Sequence, residues 1–291
     1  MLFLLCPLAS AILYPVGNLY LKRSISEGGG LLRSLFVSNI VLSLCFMPLA
    51  FFLTEAPDWN FWFWPLLTGF TYFLGQLFTV IAIKSGDVSV QTPLMGIKLL
   101  YVAAFSTLIR PDEVPPLLWV GAAICTVGIF LIGGGTLSAF RRSGRTVFLT
   151  LIACFFFGAT DTLSSYRSAQ FGKIPFILMV ATVVIVLSLG LLPFFRERLR
   201  DTSPKSLRLM GIGSIAIGIQ SFILVFALVS FGQATAINIV YSSRAIFGVL
   251  LVMYLGKRLG NHESTTAGAK VMRSRLAGSL LLCGAIALVF I

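Results

Sequence analysis

Two cations stand inside long apolar runs of this 291-residue chain: Lys98 in QTPLMGIKLLYVAAFSTLI and Arg244 in TAINIVYSSRAIFGVLLVMYL. A Lys or Arg at the centre of a bilayer costs about 2.5–3.5 kcal/mol on insertion scales. Each therefore calls for a partner or a wet cavity. The chemistry they offer is anion binding. An ammonium supplies a point charge, and a guanidinium supplies a planar fork suited to carboxylate or phosphate. An anionic small-molecule substrate, an organic anion or a phosphorylated compound, would offset much of the desolvation cost. The competing reading is that both cations bond to helix carbonyls or to Asp161 and hold a bundle shut.

Asp161 is the one acid within an apolar run. Membrane carboxylates serve in proton relays, so it is a candidate coupling group. Its position, about fifteen residues into its run and towards one end, also suits a cap or a partner for Arg167. Further polar residues extend the set. Tyr241 is three residues before Arg244 and Tyr101 three after Lys98, each pair on one helix face. Tyr72 precedes Gln76 by one turn, and Gln220 is nearly matched to Gln76 in the second half of the chain. Asn39, Tyr14 and Asn238 complete the candidates. Each alone suits an interhelical hydrogen bond; as a set converging at one depth they predict a polar cavity. Lys98 and Arg244 would hold the substrate's charge, and Tyr72, Tyr241, Gln76 and Gln220 would shape the rest.

Catalytic chemistry has no such signature. No His–Asp pair, acidic metal motif or nucleophile–base pair stands near a membrane surface, so the expectation is no enzyme, no catalytic residue, no metal and no cofactor. The glycine triplet Gly28–Gly30 is not a phosphate loop, because no GK[ST] follows it. The five cysteines fall in apolar runs without a CxxC pair and read as small buried hydrophobes.

The elements that must carry these residues are membrane helices. The chain is 57% hydrophobic and 11% charged, with a mean hydropathy of +0.97. Soluble domains are about 45–50% apolar and about 25% charged. That excludes a soluble enzyme, a disordered chain and a secreted disulfide scaffold, and leaves almost no extramembrane mass. A spanning helix needs about 20 apolar residues. Apolar length and Gly, Pro and charge breaks mark ten spans, about 2–21, 31–53, 61–83, 89–109, 114–135, 146–167, 173–195, 207–231, 233–255 and 276–291. The longest loop is then about 256–275 and holds His262. Pro15 and Gly17 in the first span, and Pro93 and Gly96 in the fourth, are expected to loosen their helices. The glycines and alanines of 121–135 and 211–218 are expected to serve close helix packing.

The net charge of +12 fits this layout better than it fits nucleic acid. Of the 22 Lys and Arg, 17 lie in or at odd-numbered loops, whereas the even loops hold only Arg110, Arg167 and Lys173. Positive loops stay cytoplasmic. The odd loops should face the cytoplasm and both termini the outside of a cell inner (plasma) membrane. All four tryptophans (Trp59, Trp62, Trp64, Trp119) fall on the even side and suit an outer interfacial belt.

The chain also repeats itself. Residues 86–98, GDVSVQTPLMGIK, match 232–244, GQATAINIVYSSR, at a constant offset that places Lys98 on Arg244. GAAICTVG at 121–128 resembles GSLLLCGA at 278–285, and YPVGN at 14–18 faces FGATD at 157–161, with Asn18 on Asp161. Five spans per half invert the second half relative to the first. The expected fold is all-α integral membrane: ten transmembrane helices as two inverted five-helix repeats, 1–138 and 139–291, with substrate near the midplane between spans three, four, eight and nine.

The segments 82–134, 227–263 and 275–291 are similar to the third-to-fifth-helix part of each repeat of the drug/metabolite transporter superfamily, in its ten-helix EamA-like form. The resemblance implies a secondary transporter working by alternating access, driven by a gradient or by exchange. The phosphate-sugar translocators, a branch this family resembles, use basic residues on the two helices that correspond to those of Lys98 and Arg244. Two alternatives stand beside the anion carrier: an exporter of amino acids or amphiphilic drugs with structural cations, and a lipid-handling protein or scramblase. The expected surroundings are membrane lipid, and a monomer is sufficient, although a dimer is compatible.

Overall fold

A computed structural model describes residues 2–85, 94–110, 114–132, 144–195, 202–255 and 269–288. Pro93, His262, most of the 86–98 repeat segment and many of the basic loop residues lie outside the described residues. The helices are α1 Leu2–Ser24, α2 Leu31–Phe46, α3 Phe63–Ser85, α4 Lys98–Ile109, α5 Pro116–Ile132, α6 Gly144–Phe171, α7 Lys173–Leu189, α8 Pro204–Phe231, α9 Ala234–Tyr241, α10 Arg244–Leu255 and α11 Ala269–Ala287. Short 3-10 turns Met47–Phe52 and Met95–Ile97 extend α2 and lead into α4. Among the described residues there is no strand. Among the described residues six helices are long and apolar enough to cross a membrane, and Met95–Ile109, Pro116–Ile132 and Ala277–Ala287 are shorter apolar helices. The all-helical membrane class expected from composition is therefore borne out.

Helix ends follow local chemistry. Gly232 closes α8 with φ +68°, a left-handed cap whose N–H donates to the Leu228 carbonyl at 3.1 Å. Gly172, at φ +100°, makes the turn between α6 and α7. Ser203 caps α8, accepting from the Ser206 N–H, and Pro204 takes the first helical position.

Three expectations change. Helix α11 begins at Ala269, so part of the stretch read as loop is helical; its Ala, Lys, Met and Arg residues are good helix formers and carry the helix past its apolar part. Span nine is two helices, α9 and α10, separated at Ser242–Ser243. Helix α1 runs unbroken through Pro7 and Pro15. Its Gly17 is packed against Ile217 and the Gly213 carbonyl of α8, which supports the helix where proline removes a bond.

The helices pack reciprocally between the two halves. α1 lies along α8 while α3 lies along α6; α2 packs on α8 while α3 packs on α7; α1 touches α9 and α10 while α4 touches α6; α2 meets α7 and α5 meets α11. Small residues permit the closest approaches. A Cβ on Gly213 would stand 2.9 Å from the Gly17 carbonyl, and one on Gly128 2.9 Å from the Gly278 carbonyl. With no water in hydrocarbon, hydroxyls bond back along their own helices, as Thr79 does to the Gly75 carbonyl (2.8 Å) and Thr162 to that of Gly158 (2.9 Å). Others bridge helices: Thr71 to Thr160 (2.9 Å), Ser38 to Ser214 (3.0 Å) and Ser24 to Ser206 (2.9 Å).

Candidate functional site

Lys98 is the first residue of α4, after the Met95–Ile97 turn, and Arg244 is the first residue of α10, after the Ser242–Ser243 break. The two matched sequence positions thus recur as matched local structure. Irregular helical backbone at membrane depth is tolerated where it is buried in protein or lines a cavity. Here it does the latter: a small cavity is lined by Met95, Lys98, Leu99, Ile129, Asn238, Tyr241, Ser242 and Arg244.

The two cations are held differently. Lys98 is buried and its Nζ lies 2.5 Å from Oδ2 of Asp161, itself buried on α6. Arg244 lies between two aromatic faces, with Cζ 4.6 Å from the Tyr14 ring centroid and 4.5 Å from that of Tyr241. The two rings meet edge to face at 6.1 Å. Desolvated cation–π contacts of this kind reach about 2 kcal/mol. Among the described residues no carboxylate lies within ion-pair distance of Arg244. Lys98 joins the same group, its Nζ lying 5.6 Å from the Tyr241 ring centroid. Among the described residues the site therefore holds Lys98, Arg244 and Asp161, and one positive charge is left over.

The remaining candidates divide. Asn238 is buried on the cavity wall; its Nδ2 donates to the Ala234 carbonyl at 3.0 Å, and its Oδ1 has no hydrogen-bond partner among the described residues. Gln76 donates to the Tyr72 hydroxyl at 2.8 Å within α3, and Tyr72 packs on Phe157 at 6.0 Å. Gln220 is taken up by Ser10 of α1 at 2.7 Å, and Asn39 by Ser188 of α7 at 3.0 Å. Tyr101 stacks with Phe105 and meets Phe155 edge-on, outside the cavity lining. Asp161 faces Lys98, not Arg167, whose guanidinium lies 4.5 Å over the Trp64 ring and reaches Gln170. Helices α1 and α6 thus enter the site beside α4, α9 and α10. Ser242, with its hydroxyl on the Ile239 carbonyl at 2.6 Å, and the apolar wall of Met95, Leu99 and Ile129 were not among the candidates. Ser242 sits two residues before Arg244 in the repeated segment, a signal that could have found it; the apolar wall carries none.

A bundle of apolar helices, six of those described long and apolar enough to span a bilayer, defines a multi-pass membrane protein. Residues 1–134 match the EamA-like transporter family, in agreement with the resemblance read from the sequence. No curated protein matches the chain. A solved structure, described only as the crystal structure of a protein, is similar over 98% of this chain and 95% of its own, with a TM-score of 0.70 and 13% identity. That likeness concerns the fold.

Proposed function

We propose that the chain is a secondary transporter of a small organic anion, a phosphorylated metabolite included, bound at the cavity between Lys98 and Arg244. The observation that carries this reading is the surplus cation. Arg244 is clamped by Tyr14 and Tyr241 with no carboxylate at ion-pair distance among the described residues, beside a cavity it shares with Lys98. In a low-dielectric interior an unbalanced charge is costly, and an anion offsets that cost. Local helix irregularities at the two matched positions and reciprocal packing support two inverted five-helix repeats, 1–138 and 139–291, rocking about the site. The loop charges support odd loops in the cytoplasm and both termini outside an inner (plasma) membrane.

A second reading has its own observation. The Lys98–Asp161 pair neutralises Lys98 internally, which favours a structural lysine and an exporter of amphiphilic or amino-acid substrates. Thermal stabilisation of the purified protein by a panel of anionic, neutral and cationic metabolites separates the two. A ligand at a hundredfold excess over Kd stabilises by about 2.7 kcal/mol. The anion carrier predicts shifts confined to anions and lost in Lys98→Gln/Arg244→Gln. Shifts from neutral or cationic compounds that survive the double substitution would instead establish the exporter.

A further inference from the structure

Asp161 already occupies the position on Lys98 that a bound anion would take. We infer that Asp161 is a proton site coupled to the charge of the substrate: a dianion displaces it from Lys98 and is bound together with one proton on the Asp161 carboxylate, whereas a monoanion binds without proton uptake. The inference rests on the anion site proposed above.

The argument is one of charge balance in a dry site. Lys98 and Arg244 contribute two positive charges and Asp161 one negative charge, and Lys98 is within 2.5 Å of that carboxylate. A monoanion brings the set to neutrality. A dianion would leave it one charge negative, with two acceptor groups competing for one ammonium. Protonation of Asp161 restores neutrality: the carboxylate takes the proton, and the Lys98 ammonium transfers its pairing to the dianion. Like charges crowded into one low-dielectric site do not both stay ionised.

Among the described residues, the surroundings offer no other carboxylate for this role. Lys98 from α4 pairs with Asp161; Arg244 from α10, Tyr241 from α9 and Tyr72 from α3 lie within electrostatic reach of it, and Tyr14 from α1 packs on Arg244 and Tyr241. On α6 itself Cys154 lies nearer the Lys98 turn, with its Sγ on the Leu94 carbonyl. Helices α7 and α8 carry their ionisable residues, Lys173, Lys205 and Arg208, at their N-terminal ends. Asp161 is the one carboxylate among these groups.

The experiment uses the full-length protein and anions whose own charge is fixed between pH 6 and pH 8.5. Sulfate is paired with methyl sulfate, and ethane-1,2-disulfonate with ethanesulfonate. Binding is followed by thermal shift and proton uptake by a pH indicator in weakly buffered detergent solution. The dianions should bind with uptake of about one proton, their affinity falling about tenfold per pH unit as pH rises, by linkage. The monoanions should bind with neither. Asp161→Asn should abolish the uptake and flatten the pH dependence. Because that substitution strands Lys98, an infrared difference spectrum of the unaltered protein provides an independent reading: a carboxylic-acid carbonyl band should appear with the dianion and not with the monoanion. Dianion binding without proton uptake or without that band overturns the coupling and leaves the anion site standing. Failure of all four anions to stabilise the protein overturns the anion site and the coupling with it.

Discussion

At the scale of single residues, the site is a contest between pairing and desolvation. Asp161 and Lys98 are both buried, so removing one strands the other. Breaking a buried pair costs about 3–5 kcal/mol, whereas replacing both partners costs far less. Asp161→Asn should therefore destabilise the protein by that amount in chemical unfolding from detergent, and Asp161→Asn/Lys98→Gln should recover most of it. A double variant no more stable than the single one would place the role of Asp161 elsewhere. A second pair is solvent-accessible, Glu27 lying beyond the end of α1 and Lys205 in the first turn of α8. Lys205 Nζ is 2.6 Å from Glu27 Oε1, and this bond holds the Glu27 carboxyl below its ordinary 4.5. A depressed acid contributes stability that is present above its unfolded value and lost as pH falls through its folded value. The stability difference between the native chain and Lys205→Gln should accordingly shrink as pH is lowered from 6 to 3, a small effect because both groups are solvated.

At the scale of elements, glycine sets how closely helices approach. Gly278 on α11 meets the Gly128 carbonyl and Ile132 of α5, where a Cβ has no room. Gly284 on the same helix has nothing within 4 Å of that position. Overpacking costs about 1–3 kcal/mol, whereas an unhindered helical Gly→Ala gains about 0.5–1 kcal/mol. Gly278→Ala should lower the midpoint of thermal unfolding and Gly284→Ala should raise it; equal shifts would mean that α5 and α11 are not held by this contact. The polar residues have the same lesson in them. Gln220 and Asn39 had the depth expected of cavity residues, yet each is spent on a neighbouring helix, on Ser10 and Ser188. Depth is readable from a sequence by counting residues along an apolar run, whereas the direction a side chain faces is set by rotation of the helix against its neighbours.

At the scale of the whole molecule, the chain halves exchange roles: α1 on α8 mirrors α3 on α6, and α5 meets α11 across the pair. Orientation in the bilayer is a property of this scale, because it depends on the summed bias of all the loops. Ser26 and Asn60 are both exposed, on the first and second loops. With the native cysteines replaced, an impermeant thiol reagent should label Ser26→Cys only from the cytoplasmic face and Asn60→Cys only from the opposite face, in vesicles of known sidedness. The reverse pattern would put both termini inside.

The membrane class, the helical spans and the two intramembrane cations were legible in the sequence alone, because apolar length, loop charge and the cost of a buried charge are local quantities. The correspondence of Lys98 with Arg244 was legible for the same reason, as an offset along the chain. The separation at Ser242–Ser243 was hidden, since the apolar residues on both sides of it together read as one spanning length. Tertiary structure alone decided that Asp161 faces Lys98 and not Arg167, that Tyr14 and Tyr241 clamp Arg244, and that Tyr101 turns to Phe105 and Phe155. Each of these depends on which faces of distant helices meet, and in an all-apolar environment that is settled by close packing and polar pairing between helices, which no single segment encodes.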